Sequence, residues 1–145
     1  MNTPSTNSAK SVLEAMYASE AEYLAAGGPG KASFGQLAPF FSPNVVLHQA
    51  DALPYGGIWK GHEGMEKFFV AMSQVWEVFD LVEQTFLAEN NPLVALTQVH
   101  ARSRATGREL DFPILQTVHV DQGQITEIRP FYWDTAAIVK TCSTP

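Results

Sequence analysis

The sequence predicts an α+β fold in which helices come first and an antiparallel meander of strands follows, the helices packing on one face of the sheet. Apolar residues recur at spacings of three and four through the first half of the chain. After Val78 the period falls towards two, and Asn90-Asn91-Pro92, Thr106-Gly107 and Gln122-Gly123 divide the remainder into four strand-like runs. With 145 residues the chain is long enough for one domain with a real core.

Residues 1–10 are rich in Ser, Thr, Asn and Pro and read as a disordered tail, which leaves residues 11–145 as the domain. A helix is expected over Ser11 to Ala26, with Leu13, Tyr17, Glu20/Ala21 and Leu24 on one stripe, and Gly27-Gly28-Pro29-Gly30 stops it. Ser33, with Gln36 three residues on, starts a short second helix that carries Phe34, Leu37, Phe40 and Phe41 inward. Val45-Val46-Leu47 opens a first short strand that reaches Gln49. A Gly/Pro loop over 51–60 then leads into a third helix from Gly61 to about Glu77, with Met65, Phe68, Phe69, Met72 and Trp76 on its core face. Strands are expected over roughly 78–88, 92–105, 108–121 and 124–133, and a short helix over about 135–141 closes the chain.

If Thr106-Gly107 and Gln122-Gly123 are two-residue turns, the register follows. Ala101 pairs with Phe112, Thr97 with Gln116, Gln116 with Arg129 and Ile114 with Phe131. The resulting face is apolar, includes Val99, Val118, Ile125 and Trp133, and has Gln116 and Arg129 as exceptions in its middle. The opposite face pairs Arg102 with Asp111 and Arg104 with Glu109, ion pairs of a solvated kind. It also carries Leu96, Leu115 and Ile128, a mixture that suits a homodimer interface better than bare water. A third residue in either turn would swap part of the faces.

Composition removes several function classes. The net charge of -6 and the lack of a dense Lys/Arg run argue against nucleic acid. No apolar run approaches ~18 residues, the polar start lacks a signal-peptide pattern, and the single Cys142 excludes an internal disulfide, so a cytoplasmic protein is expected. The four histidines (48, 62, 100 and 119) show no close ligand spacing, so neither a metal nor an organic cofactor is expected. No phosphate-binding glycine loop or nucleophile elbow is present in the sequence either.

Two stretches carry a family likeness: Pro54 through Phe69, and Thr106-Gly107-Arg108 through Val118, Gly123 and Ile125 to Asp134-Thr135-Ala136. Together they resemble the SnoaL-like, ketosteroid isomerase-related branch of the nuclear transport factor 2-like superfamily. The resemblance implies a cystatin-like cone, a curved antiparallel sheet whose concave face is covered by the N-terminal helices around one ligand pocket. It implies less about chemistry, since this fold hosts isomerases, cyclases, dehydratases, epoxide hydrolases and plain binding proteins.

The isomerases of that branch use a tyrosine on the first helix as an oxyanion donor, and Tyr17 matches it. The alternative is a core aromatic with a wet tip. Their second donor, a protonated aspartate on a late strand, matches Gln116, whose amide donates without any pKa tuning. Their base is a carboxylate near the end of the first strand, where this chain has His48 and Gln49. His48 is a base candidate or a hydrogen-bonded wall residue. SnoaL-type cyclases use an aspartate on the final strands, which points to Asp134; the competing role is an N-cap for the last helix. A bulge near Pro130 would aim Tyr132 and Asp134 inward. Arg129 either binds an anionic group or forms an ordinary ion pair, and Trp59, Trp76, Phe131 and Trp133 either wall a cavity or fill the core. The combined expectation is a cofactor-independent acid/base enzyme acting on a small apolar carbonyl or enol compound, with a non-catalytic binding protein as the rival.

Overall fold

The computed structural model describes residues 8–144. Of the expected tail, residues 1–7 lie outside the described ones, while Ala9 and Lys10 form the first turn of α1 (Ala9–Ala25). Ser8 caps that helix, its hydroxyl accepting from Ser11 N at 3.2 Å. At the other end Gly28 N donates to Tyr23 O at 2.9 Å and Gly27 N to Leu24 O at 3.1 Å. This double closure needs a left-handed residue, which Gly27 supplies at φ 114°. The inward stripe is rotated from the expected one: Tyr23 is buried against Phe69, whereas Leu24 is 53% exposed.

The expected second helix is two separate 3-10 turns, Phe34–Gln36 and Ala38–Phe40, broken where Pro39 enters. The strand β1 (Phe41–Gln49) starts earlier than expected, and part of the loop before the next helix is a strand, β2 (Gly57–Lys60). Between them the chain doubles back so tightly that a Cβ on Gly56 would stand 2.4 Å from Ala50 O. The remaining elements are α2 (Gly61–Val75), β3 (Trp76–Ala88), β4 (Leu93–Ser103), β5 (Glu109–Asp121), β6 (Gln124–Tyr132) and α3 (Thr135–Cys142). Trp76 belongs to β3 rather than to the preceding helix.

The six strands form one sheet in the order β2-β1-β6-β5-β4-β3. It is antiparallel except for β1 and β6, which run parallel because the whole helix-and-meander segment returns between them. Alternation on β4 is strict: Leu93, Ala95, Thr97, Val99, Ala101 and Ser103 all turn inward and are buried. Helix α1 packs against β5 and β6, α2 against β1 and β2, and α3 against β5.

Two register differences separate the sheet from its expected pairing. The β4–β5 connection is longer than two residues, closed by Ser103 N to Arg108 O and Gly107 N to Ser103 O, each 2.9 Å. Pairing therefore slides by two, so that Ala95 faces Gln116 and Val99 faces Phe112. An even slip keeps every side chain on its expected face but changes its partner. His100, not Arg102, contacts Asp111 at 2.5 Å; Arg102 pairs with Glu77, and Arg104 bonds the Ser73 and Trp76 carbonyls.

The second difference is odd and has larger consequences. Gln122 and Gly123 form the expected tight turn at φ 51° and 78°. Beyond it Val120 faces Ile125 while His119 faces Glu127, leaving Thr126 as a bulge whose hydroxyl bonds His119 O at 3.2 Å. The extra residue pairs Gln116 with Pro130 and Ile114 with Tyr132. Tyr132 and Ile128 thus turn inward, and Arg129, Phe131 (52% exposed) and Trp133 (84% exposed) turn out. The expected placement of Phe131 and Trp133 on the concave face is corrected accordingly, as is that of the bulge near Pro130.

Candidate functional site

Two polar clusters interrupt the apolar interior. The first gathers around Tyr17, which α1 presents towards β3, β4 and β5. Gln116 Nε2 donates to the Tyr17 hydroxyl oxygen at 2.9 Å, and Gln84 Nε2 lies 3.5 Å from the same atom. Gln84 also donates to Thr97 Oγ1 at 2.9 Å, its directly opposed partner on β4. Glu20 stands one turn further along α1. Burial raises the Tyr17 pKa above its ordinary value and the negative charge of Glu20 adds to this, while the hydrogen bonds from Gln84 and Gln116 oppose it. Tyr17 is therefore neutral at pH 7. With two amides directed at its oxygen, its own O–H remains to be donated elsewhere.

The second cluster lies under α2 and α3. Tyr55 Oη donates to Tyr132 Oη at 2.9 Å and receives Trp76 Nε1 at 3.3 Å. Burial pushes the Tyr55 pKa up to about 12 and carries Tyr132 well above the tyrosine value. Gln49, buried at the end of β1, bonds Tyr132 while its Oε1 has no partner. Phe68 stands against Tyr55 and Phe112 against Tyr132 at centroid distances near 6 Å, with Phe79 against Phe112. Trp59 joins through Phe68 at 5.8 Å, its Nε1 donating to Tyr55 O at 3.2 Å.

The structure therefore brings Tyr17 and Gln116 together and sets Trp59, Trp76 and Tyr132 in a separate aromatic cluster. It does not bring the proton-transfer candidates to either one. His48 turns to the outer sheet face, 3.2 Å from Glu127, whose second oxygen is 3.6 Å from His119 Nδ1. Asp134 is exposed, and its carboxylate accepts from Ala137 N at 3.0 Å as the N-cap of α3. Arg129 is exposed on β6. Two open clefts lie elsewhere: one of about 320 Å³ between α2, the β4–β5 connection and α3, lined by Val75, Ser103 and Cys142, and one on the outer face beside Val82 and His100. Among the described residues, no group of three or more His, Cys, Asp or Glu side chains could hold a metal ion.

Sequence reasoning passed over Gln84, Tyr55 and the partly buried setting of Glu20. Glu20 left a signal, a carboxylate within an apolar helical stripe. Gln84 left none, because bulges at Glu77, Val82 and Leu87 scramble the alternation of β3.

Comparison with known proteins agrees with this architecture. The model of the SnoaL-like domain family matches residues 22–128. No curated protein matches. An NTF2-like protein of Burkholderia xenovorans LB400 superposes with a TM-score of 0.77 at 16% identity, over 91% of this chain and 93% of its own. A Jannaschia sp. CCS1 protein provisionally named a SnoaL-like polyketide cyclase gives 0.74 at 16% identity, over 100% and 99%. A cystatin-like fold protein of Xanthomonas campestris gives 0.67 at 18% identity, over 89% and 98%. At such identities the likeness establishes the fold alone.

Proposed function

We propose, for a chain that belongs to the SnoaL-like domain family, that the Tyr17 cluster binds the carbonyl or enol oxygen of a small, largely apolar compound. On this reading the protein is a cofactor-independent acid/base enzyme of isomerase or polyketide-cyclase type. The observation that carries it is the pair of amides directed at Tyr17 Oη, with the phenol O–H left to donate. A neutral phenol whose oxygen already accepts hydrogen bonds is a stronger donor to a developing oxyanion, and the apolar surroundings enlarge that effect. Four neutral polar side chains converging in an otherwise apolar interior are disfavoured unless they are satisfied or used.

The binding step can be tested with 2-naphthol, an enol mimic on apolar rings, followed by its fluorescence. Tyr17→Phe should weaken binding about tenfold, the effect of one buried hydrogen bond. Binding that is unchanged in both Tyr17→Phe and Gln116→Leu sinks the reading. The placement of His48 and Asp134 away from Tyr17 favours a second reading, a binding protein that holds the same ligand without chemistry.

The proposal extends to a homodimer through the outer sheet face, where Leu96, Leu115 and Phe131 stand in one cross-strand row. Sedimentation should find a dimer that Phe131→Asp converts to monomer; a monomeric parent protein rejects this part. Among the described residues no helix is long and apolar enough to cross a membrane.

A further inference from the structure

The core-facing stripe of α1 runs through Ala9, Val12, Leu13, Met16, Tyr17, Glu20 and Tyr23, and one of its members is a carboxylic acid. Glu20 stands three residues beyond Tyr17, where helix side chains are neighbours. Solvent reaches it only in part. Among the described residues no hydrogen bond or ion pair holds its carboxyl, although exposed acids such as Glu63 and Glu89 have lysine partners. Burial alone raises its pKa to about 7. An unpaired acid on a core stripe, beside a phenol with a free O–H, is where proton transfer is best placed.

We propose that Glu20 is the catalytic acid/base of this chain and acts on the carbon next to the carbonyl whose oxygen Tyr17 holds. This rests on the proposed binding of that oxygen by Tyr17, whose own oxygen accepts from Gln116. The resemblance puts a carboxylate at the end of the first strand, but here Gln49 and an outward His48 occupy that place. Glu20 moves the acid/base function onto α1, beside its own oxyanion donor.

The step balances without a co-reactant. In a β,γ-unsaturated ketone the Glu20 carboxylate takes the α proton, and the C–H electron pair becomes the C=C bond of a dienolate. The carbonyl π pair moves to the oxygen, where the Tyr17 O–H holds it. Glu20 then returns the same proton to the γ carbon, the electron pairs move back, and the conjugated ketone leaves with both side chains restored.

The test uses the full chain with 3-cyclohexenone in deuterated buffer. Conversion is read by absorbance and label uptake by NMR, with 2-naphthol binding measured in parallel. Glu20→Gln should lower conversion about 100-fold or more while binding 2-naphthol as the parent does. Glu20→Asp should restore part of the rate, and the parent rate should rise with pH through a midpoint near 7, a limb that Glu20→Gln lacks. Conversion that survives Glu20→Gln overturns the assignment, as does a parent that binds 2-naphthol through Tyr17 but neither converts nor labels the ketone. Naphthol binding indifferent to Tyr17→Phe is the distinct failure of the underlying site.

Discussion

The two interior polar clusters are built from the same kinds of atoms and differ in what they leave unused. Around Tyr55 and Tyr132 the Tyr55 hydroxyl donates to Tyr132, Trp76 completes the chain, and aromatic rings stand against it; among the described residues the Tyr132 O–H and Gln49 Oε1 are left over. Around Tyr17 the amides supply hydrogen bonds, the phenol keeps one to give, and Glu20 has no partner among the described residues. Burial and raised pKa values are common to both. The unpaired carboxyl beside the phenol, rather than a spare O–H, is what separates the two.

Substitutions should divide along that line. The largest stability effect belongs to the aromatic cluster: Trp76→Ala should cost about 3–5 kcal/mol in urea unfolding, through the cavity it opens. Tyr17→Phe should reverse the pattern, losing about 100- to 1,000-fold in kcat/KM for 3-cyclohexenone with a stability change of about 1 kcal/mol. Equal stability losses for the two would erase the distinction.

Glu20→Gln should stabilise the protein at pH 8 while removing activity. The folded pKa of Glu20 lies near 7 against 4.5 in the unfolded chain, so the native state binds the proton more tightly. Its contribution is most favourable below pH 4.5 and declines as pH rises through 7. With partial solvent access the loss is on the order of 1 to 3 kcal/mol. Melting temperatures from pH 4 to 8 should therefore fall less steeply in Glu20→Gln than in the parent. The smallest effect is expected at Asp134: Asp134→Ala should cost about 1 kcal/mol as a lost N-cap and leave turnover unchanged. A large loss of turnover there would return the acid/base role to the last helix.

Much of the fold was legible because periodicity reports which faces are buried. The change from helical to strand spacing after Val78, the Gly27 stop and the Asp134 cap are local signals, and the structure repeats them. The family resemblance picked out Tyr17 and Gln116 as donors to a ligand oxygen, and an even register slip left Gln116 facing inward, where its amide donates to Tyr17 instead. Phe131 and Trp133 were misplaced because a single bulge residue, Thr126, inverts every side chain after it. Nothing near Thr126 announces a bulge, since its hydroxyl becomes useful only once His119 lies alongside.

By itself the sequence determined the order of elements and the apolar faces of β4 and β5, which follow from spacing along one segment at a time; Tyr17 and Gln116 were singled out by the family resemblance instead. Only the tertiary structure decided that His48 and Asp134 stand apart from that pair and that Glu20 stands beside it with no partner among the described residues. Which groups meet in the interior depends on strand register and helix rotation. Both are set by contacts between segments far apart in the chain, and one residue more or less in a turn or bulge changes them.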